Sequence, residues 1–371
     1  MRKFHCQCGN TLFFENTHCY VCDRTLGYLL EHGLVSALEP LGETVWNALA
    51  VAPDGQNQYR MCTHYARDNV CNWMIPLSDP EPFCRACRLN QVIPDLTQPY
   101  NPTYWYKIEA AKRRLIYTLH QLNLPLRSRA EDPEHGLAFA FLADTHPEGE
   151  FSDAIGNAGG QVLTGHAHGL ITINLAEADD IQRARIREQM NERYRTLLGH
   201  FRHEIGHYYW DLLIKDSPKL EQFRALFGNE RVDYAAAVQQ HYANGPPADW
   251  NKKFISAYAA AHPWEDWAES FAHYLHMIDT LETANDYGFA IHGISVTAAG
   301  ASKDSGPQSA ADEFDMLLAD WIRLTGATNA INRSMGLADA YPFVLCAAAQ
   351  QKLLFVHEMI TTQANTAKPT P

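Results

Sequence analysis

The residues of this chain best suited to chemistry form a short motif near its middle, His203-Glu204-Ile205-Gly206-His207. Two histidines four positions apart lie on the same face of a helix, about one turn from each other. Both imidazoles can therefore bind one zinc ion. Glu204 follows the first histidine, where its carboxylate reaches a water on the metal rather than the metal itself. The motif predicts a hydrolytic zinc site with His203 and His207 as ligands and Glu204 as the general base.

A catalytic zinc ion usually takes three protein ligands and a water, so a third ligand is needed. The six residues after His207 contain no histidine, which excludes the class of zinc peptidases with a third histidine at that point. A later segment begins with a proline, which suits a helix start, and carries Glu265, Glu269 and His273 at intervals of four residues. We therefore expect the third ligand to be Glu265 or Glu269.

Residues near this segment are candidates for supporting roles. His273 and the glutamate that does not bind zinc would orient the ligands through hydrogen bonds. Tyr258 and His262, which shortly precede the segment, are candidates for the donor that stabilises an oxyanion.

Eight of the nine cysteines lie within the first 87 residues and form two groups of four. The groups are Cys6, Cys8, Cys19 and Cys22, followed by Cys62, Cys71, Cys84 and Cys87. Four thiolates make the tetrahedral sulfur set that zinc prefers, although sulfur ligands alone do not distinguish zinc from iron. Because a closed set leaves no position for a substrate, both groups predict structural metal sites.

The composition restricts the partners of the protein. Thirty basic residues against 43 acidic ones give a net charge of −13, which repels nucleic acids and anionic lipids. The chain has no run of about 18 apolar residues, and its first residues lack the apolar stretch of a secretion signal. We therefore expect a soluble, cytoplasmic protein with no membrane contact, in which clustered cysteines bind metals rather than form disulfides. Residues 1–98 hold seven basic and ten acidic residues, so a protein partner suits them better than nucleic acid.

Changes in pattern along the chain predict an α+β protein in three parts. These are a zinc-ribbon module with two four-cysteine sites (1–98), a mainly helical zincin-like domain with a small mixed sheet (99–360), and a disordered tail (361–371). Within the second part, a β-branched run predicts a strand over 169–175, and one long helix is expected from 179 to about 214.

Taken together, these motifs resemble a bacterial family of zinc-binding metallopeptidases with an N-terminal zinc ribbon. The resemblance rests on the first cysteine group, on 203–207 and on 267–273, and it covers the chain to about residue 360. The run Ala268-Glu269-Ser-Phe-Ala is also similar to the third-ligand helix of gluzincins, where Ala-Glu-x-Phe-Ala supplies the metal-binding glutamate. The resemblance thus implies Glu269 as the third ligand, with Glu265 as the alternative. Gluzincins often carry an acidic residue four positions after this ligand, whereas His273 stands there in this chain.

The expected function is that of a zinc-dependent metallopeptidase with one catalytic and two structural zinc ions. A zinc-activated water would attack a peptide or amide bond of a peptide or protein substrate, with Glu204 as the general base. The alternative is a catalytically inactive zincin-like scaffold, or a protein-binding module that recruits a partner through its zinc ribbon.

Overall fold

The computed structural model of this protein describes residues 1–51, 57–144, 162, 164–189, 194–289 and 309–366. The fold is α+β, as the sequence predicts, and the chain forms two compact units. The first comprises Met1–Ile116, Arg127–Gly165 and Leu170–Gln182, and the second comprises Tyr117–Leu126, His166–Gly169 and Arg183–Pro371. These units do not coincide with the predicted domains 1–98 and 99–360, whose boundary stays a prediction.

Short strands make up most of the N-terminal part of the first unit. Strands β1 (Phe4–His5) and β2 (Thr11–Leu12) form an antiparallel pair. An antiparallel sheet follows in chain order, with β3 (Leu26–Leu29), β4 (Leu34–Pro40), β5 (Trp46–Ala48), β6 (Gln58–Met61) and β7 (Met74–Pro76). Strand β3 is buried along its whole length. Its Tyr28 ring lies 4.9 Å from Phe14 and 5.0 Å from Trp73, so aromatic packing forms the core here.

A second sheet follows the short helix α1 (Thr63–Ala66) in the chain. Its strands are β8 (Asn90–Val92), β9 (Ala138–Leu142), β10 (Gly165–Ala167) and β11 (Leu170–Asn174), in the order β10-β11-β9-β8. Strand β9 runs parallel to both of its neighbours and buries Phe139 and Phe141 completely. The strand predicted over 169–175 is confirmed as β11. Helices α2 (Asn101–Gln121) and α3 (Asp180–Gln189) flank this sheet in the chain.

The described residues of the second unit are mainly helical. The helices are α4 (Leu197–Leu213), α5 (Leu220–Phe227), α6 (Tyr234–Asn244), α7 (Pro263–Asp286), α8 (Ala310–Ser334) and α9 (Ala347–Thr366). The single helix predicted from 179 to 214 is wrong, because the Thr196 hydroxyl accepts the Gly199 N–H at 3.0 Å and so begins a new helix. None of the helices in the described part of the chain is both long and apolar enough to cross a membrane.

Helices α4 and α7 pack closely against each other, and a glycine makes this possible. A Cβ at Gly206 would lie 3.0 Å from the Ala268 Cα and 3.2 Å from the Phe271 Cβ, tighter than ordinary contacts. The Trp267 indole donates a hydrogen bond to the Gly206 carbonyl at 2.8 Å, and Tyr209 stacks on Phe271 with ring centres 5.4 Å apart. The His-Glu-x-x-His motif therefore faces the N-terminal half of α7.

The C-terminal helix corrects the predicted disordered tail. Helix α9 continues to Thr366, so residues 361–366 are helical, while 367–371 lie outside the described residues. The Thr361 hydroxyl donates to the His357 carbonyl at 2.9 Å, one turn earlier. The helix thus accommodates this polar side chain, because its hydroxyl bonds to the backbone of the preceding turn. Polar composition alone does not reveal such a bond.

Candidate metal centres

One candidate metal centre lies between α4 and α7, entirely within the second unit. Helix α4 carries His203 and His207 one turn apart, and α7 carries Glu265 and Glu269 one turn apart. Helix α7 begins as its sequence predicts, with Pro263 in the first position, where the missing N–H costs nothing. Because the two helices approach closely, both pairs of side chains meet in one place.

Three side-chain atoms converge at this place, close enough to share one metal ion. The His203 Nε2 lies 3.2 Å from the His207 Nε2 and 2.9 Å from the Glu265 Oε2. The His207 Nε2 and the Glu265 Oε2 are 3.7 Å apart. Atoms bound to a tetrahedral zinc ion at about 2.0–2.2 Å lie roughly 3.3–3.6 Å from each other. The donor set therefore suits zinc, and the three separations, 2.9–3.7 Å, lie on both sides of that range.

The position of Glu269 differs from the ligand role that the resemblance implies. Its Oε1 lies 2.8 Å from the Nδ1 of His203, the ring nitrogen on the side away from the three converging atoms. The arrangement thus favours Glu265, the alternative, as the third ligand. Counted from Glu265, the acidic residue four positions later is Glu269 itself, as in gluzincins. Both glutamates lie on one face of α7, so only the fit of α7 against α4 decides which oxygen meets which nitrogen.

Two residues that the sequence did not indicate hold these carboxylates. The Tyr234 hydroxyl donates to the Glu265 Oε1 at 2.6 Å, and the Ser256 hydroxyl donates to the Glu269 Oε2 at 2.6 Å. Each glutamate thereby presents one oxygen to His203 and has the other bonded by a neutral hydroxyl. Neither residue belongs to a motif of regular spacing, so the chain offered no signal for them.

The charges of the centre favour a cation between the helices. Burial by itself raises the pKa of Glu265, but the imidazoles of His207 and His203 outweigh it and hold this pKa well below its usual range. Burial lowers the pKa of His203, but Glu265 and Glu269 outweigh it and hold this pKa well above its usual range. Two carboxylates around one imidazole thus create a site that stabilises positive charge, as a divalent cation requires.

Glu204 and Tyr258 also lie in this part of the second unit. Glu204 follows His203 on α4 and is only 8% exposed. The Tyr258 ring centre lies 5.9 Å from that of His203. Burial and the charge of Glu265 raise the pKa of Tyr258 well above its usual range, so its hydroxyl keeps its proton and can donate a hydrogen bond.

His262 and His273 have other partners than the expected ones. The His262 Nδ1 accepts the Trp264 N–H at 3.1 Å and caps α7, while its Nε2 donates to the Val232 carbonyl at 3.0 Å. Both of its ring nitrogens are therefore used, which leaves none for an oxyanion. The Nδ1 of the buried His273 lies 2.7 Å from the Tyr341 hydroxyl. His262 thus caps α7, and the Nδ1 of His273 faces Tyr341 rather than a carboxylate of the centre.

The first cysteine group comes together in the first unit. The sulfur atoms of Cys6 and Cys22 lie 3.5 Å apart, and those of Cys8 and Cys19 lie 3.6 Å apart. Sulfur atoms bound tetrahedrally at about 2.3 Å from zinc lie roughly 3.8 Å from each other. All four cysteines are free thiols, so the geometry is that of a metal site rather than of disulfides.

The second cysteine group forms a fully buried site despite the wide spacing of its first two members. Cys71 and Cys84 have sulfur atoms 3.8 Å apart, and Cys62 and Cys87 complete the set. The backbone N–H groups of Trp73 and Cys84 donate to the sulfurs of Cys71 and Cys62, each at 3.4 Å. Such donors stabilise thiolate charge, as metal binding requires.

Comparisons with known proteins agree with this geometry. Residues 101–359 match the family described as putative zinc-binding metallo-peptidase, and residues 3–98 match a zinc-ribbon domain. The chain belongs to this metallopeptidase family, as its motifs suggested, and the family descriptions support zinc as its metal.

Relatives of the chain occur in mycobacteria. It is similar to uncharacterized proteins of Mycobacterium bovis and of two Mycobacterium tuberculosis strains, CDC 1551 / Oshkosh and ATCC 25618 / H37Rv. Each is 40% identical over 371 residues, which span all of this chain and 98% of the relative. No solved structure matches the chain.

Proposed function

We propose that this protein is a zinc-dependent peptidase of the gluzincin type, in which His203, His207 and Glu265 hold the catalytic zinc ion. The convergence of His203 Nε2, His207 Nε2 and Glu265 Oε2, at separations of 2.9–3.7 Å, carries this proposal. Two imidazoles and one carboxylate are a recurrent donor set of catalytic zinc, since they leave the fourth position for water. The substrate is a peptide or protein, cleaved at a peptide or amide bond.

Zinc, when bound, lowers the pKa of a water molecule and polarises the scissile carbonyl. Glu204 takes the proton of the attacking water on its carboxylate and passes it to the leaving amine. Its position supports this role, because it follows His203 on α4 and is shielded from solvent. Tyr258 keeps its phenolic proton and is our candidate for the donor to the developing oxyanion.

The remaining side chains of the centre set the orientation of the ligands. Glu269 accepts the Nδ1 proton of His203, which fixes the ring tautomer and leaves the Nε2 lone pair for the metal. Ser256 holds the other oxygen of Glu269. We extend the proposal to the two cysteine groups, which hold structural zinc rather than iron and form a module that contacts protein rather than nucleic acid.

The test separates metal binding from catalysis. Wild type, Glu204→Gln and a control, Glu188→Gln at an exposed position of α3, are purified and their zinc is counted by elemental mass spectrometry. Hydrolysis of a peptide library is then measured with and without a chelator. We expect equal zinc in all three proteins and an activity loss of about 10²–10⁴-fold in Glu204→Gln alone.

Two results would contradict the proposal in different ways. If Glu204→Gln keeps its zinc and its full activity, Glu204 is not the base. If zinc-loaded wild type cleaves no peptide of the library, the alternative of an inactive zincin-like scaffold is favoured.

A further inference from the structure

The ligand Glu265 is held from a third helix, by a single tyrosine. The Tyr234 hydroxyl donates to the Glu265 Oε1 at 2.6 Å, while the Oε2 of the same carboxylate faces His203 and His207. Glu265 is 1% exposed, so its carboxylate depends on protein donors rather than on bulk water. A short hydrogen bond from a neutral hydroxyl to a buried carboxylate is among the stronger kinds. It fixes which of the two oxygens is presented to the imidazoles.

Tyr234 is the first residue of α6, a helix with no buried residue along Tyr234–Asn244. Its ring lies 5.2 Å from that of His262 and 6.0 Å from that of Trp264. A helix without a buried face gains little from apolar packing, so the few contacts it makes decide where it lies. The hydrogen bond to Glu265 is one of these contacts, and it reaches a proposed ligand.

The same face of α6 continues beside the metal centre. His241 and Tyr242, seven and eight positions after Tyr234, have ring centres 5.9 and 6.3 Å from that of Tyr258. Residues with this spacing share one side of a helix. The Tyr258 ring is in turn 5.9 Å from that of His203. Helix α6 therefore contacts the surroundings of the metal at both of its ends.

On the basis of the proposed function, we propose that Tyr234 is a positioning residue that orients Glu265 for zinc and ties helix α6 to the metal centre. Supporting partners of metal ligands typically change the metal affinity about 10–100-fold. Coupling is reciprocal: if α6, through Tyr234, strengthens zinc binding, zinc also stabilises α6 in its place.

The experiment uses the full chain and measures zinc affinity rather than hydrolysis. The variants are Tyr234→Phe, Glu265→Ala, the double variant, and Tyr100→Phe, the same chemical change at an exposed site of the first unit. Competition with a chelator gives the zinc affinity of the site at His203, His207 and Glu265, and circular dichroism reports whether the helices of the second unit stay folded. Hydrogen exchange of the α6 amides is followed with and without zinc.

We expect Tyr234→Phe to weaken zinc binding at the site of His203, His207 and Glu265 about 10-fold. Zinc should then no longer slow the hydrogen exchange of the α6 amides. In the Glu265→Ala background the tyrosine change should have no further effect, because it acts through Glu265. Tyr100→Phe should match wild type.

The outcomes separate this inference from the proposed function. The role of Tyr234 alone is overturned if Tyr234→Phe weakens zinc binding equally in wild type and in Glu265→Ala. It is also overturned if Tyr234→Phe leaves the zinc affinity unchanged while Glu265→Ala lowers it. Unchanged affinity in Glu265→Ala removes that residue from the ligand set and overturns both. Wild type that binds zinc and cleaves nothing contradicts only the peptidase.

Discussion

The Glu269 carboxylate and the His203 Nδ1 lie 2.8 Å apart, on the side of the ring opposite to the converging ligand atoms. In the proposed function, this contact makes Glu269 the residue that orients His203 rather than the third ligand. Glu265 meets the Nε2 side of His203 and Glu269 meets the Nδ1 side.

We predict different losses of zinc affinity for the two glutamates. Glu265→Ala removes a ligand atom and should weaken zinc binding at this site by more than about 100-fold, to an affinity that chelator competition still measures. Glu269→Ala removes only the support of His203 and should weaken binding about 10–100-fold. Ser256→Ala, which frees one oxygen of Glu269, should have the smallest effect. Chelator competition measures the zinc affinity of all three variants. A larger loss of affinity in Glu269→Ala than in Glu265→Ala would identify Glu269 as the ligand.

Gly206→Ala should destabilise the second unit. The added Cβ would lie 3.0 Å from the Ala268 Cα, so α4 and α7 must separate slightly. We expect a loss of about 1–3 kcal/mol in the free energy of unfolding, together with weaker zinc binding. The matched control is Gly326→Ala on α8, where a Cβ meets no atom within 4 Å. This control should be neutral or stabilising, because alanine favours helix more than glycine does. Equal effects of the two changes in urea denaturation would refute the close-packing argument.

Metal removal should distinguish three sites of two kinds. The three clusters predict three zinc ions for each chain, of which the two in cysteine groups resist a chelator that strips the third. Cys71→Ala should lose one resistant ion and lower the stability of the first unit, since buried thiolates without metal repel each other. Cys346→Ala, outside both groups, is the control and should keep all three. Full zinc content in Cys71→Ala would remove the second site.

The stability of the protein should fall with acid, in part because of His357 on α9. Burial lowers the pKa of this side chain, against the opposing charges of Glu313 and Glu358. Its Nδ1 lies 2.9 Å from the Tyr274 hydroxyl. The unfolded chain therefore takes up a proton at a higher pH than the folded one. The stabilisation is complete above the ordinary histidine pKa of about 6.5 and is lost as pH falls below it, by at most about 1.4 kcal/mol for each pH unit.

His357→Gln isolates this contribution. Its amide oxygen can accept the Tyr274 hydroxyl but takes up no proton, so the variant should lose less stability between pH 7.5 and 5.5, values chosen around the ordinary pKa of about 6.5. His32→Gln, at an exposed position, should follow wild type. Urea denaturation at each pH gives the free energies, and parallel curves for wild type and His357→Gln would exclude the effect.

Much of the metal chemistry could be predicted from the sequence, because it depends on short spacings. The i, i+4 spacing of His203 and His207 forces both rings onto one side of any helix that contains them. The two cysteine groups were likewise identified from residue type and clustering, and the structure brings each of them together. The α+β class followed from the same change of pattern along the chain.

Element boundaries were harder to predict because single contacts set them. The Thr196 side chain caps the start of α4 within a stretch that the sequence predicts to be one helix. Helix α9 extends into a polar segment, where the Thr361 hydroxyl bonds to the backbone of the preceding turn. Tyr234 and Ser256 have no sequence signal, since each reaches its carboxylate only through folding.

The amino-acid sequence by itself determined that α4 offers two imidazoles and a neighbouring carboxylate to a metal, because a helix fixes the directions of residues one turn apart. It also placed Glu265 and Glu269 on one face of α7. Only the tertiary structure decided which of them meets the Nε2 atoms. That choice depends on how far α7 lies along α4, because a shift of one helical turn would exchange the two glutamates, and the helices pack closely where Gly206 meets Ala268.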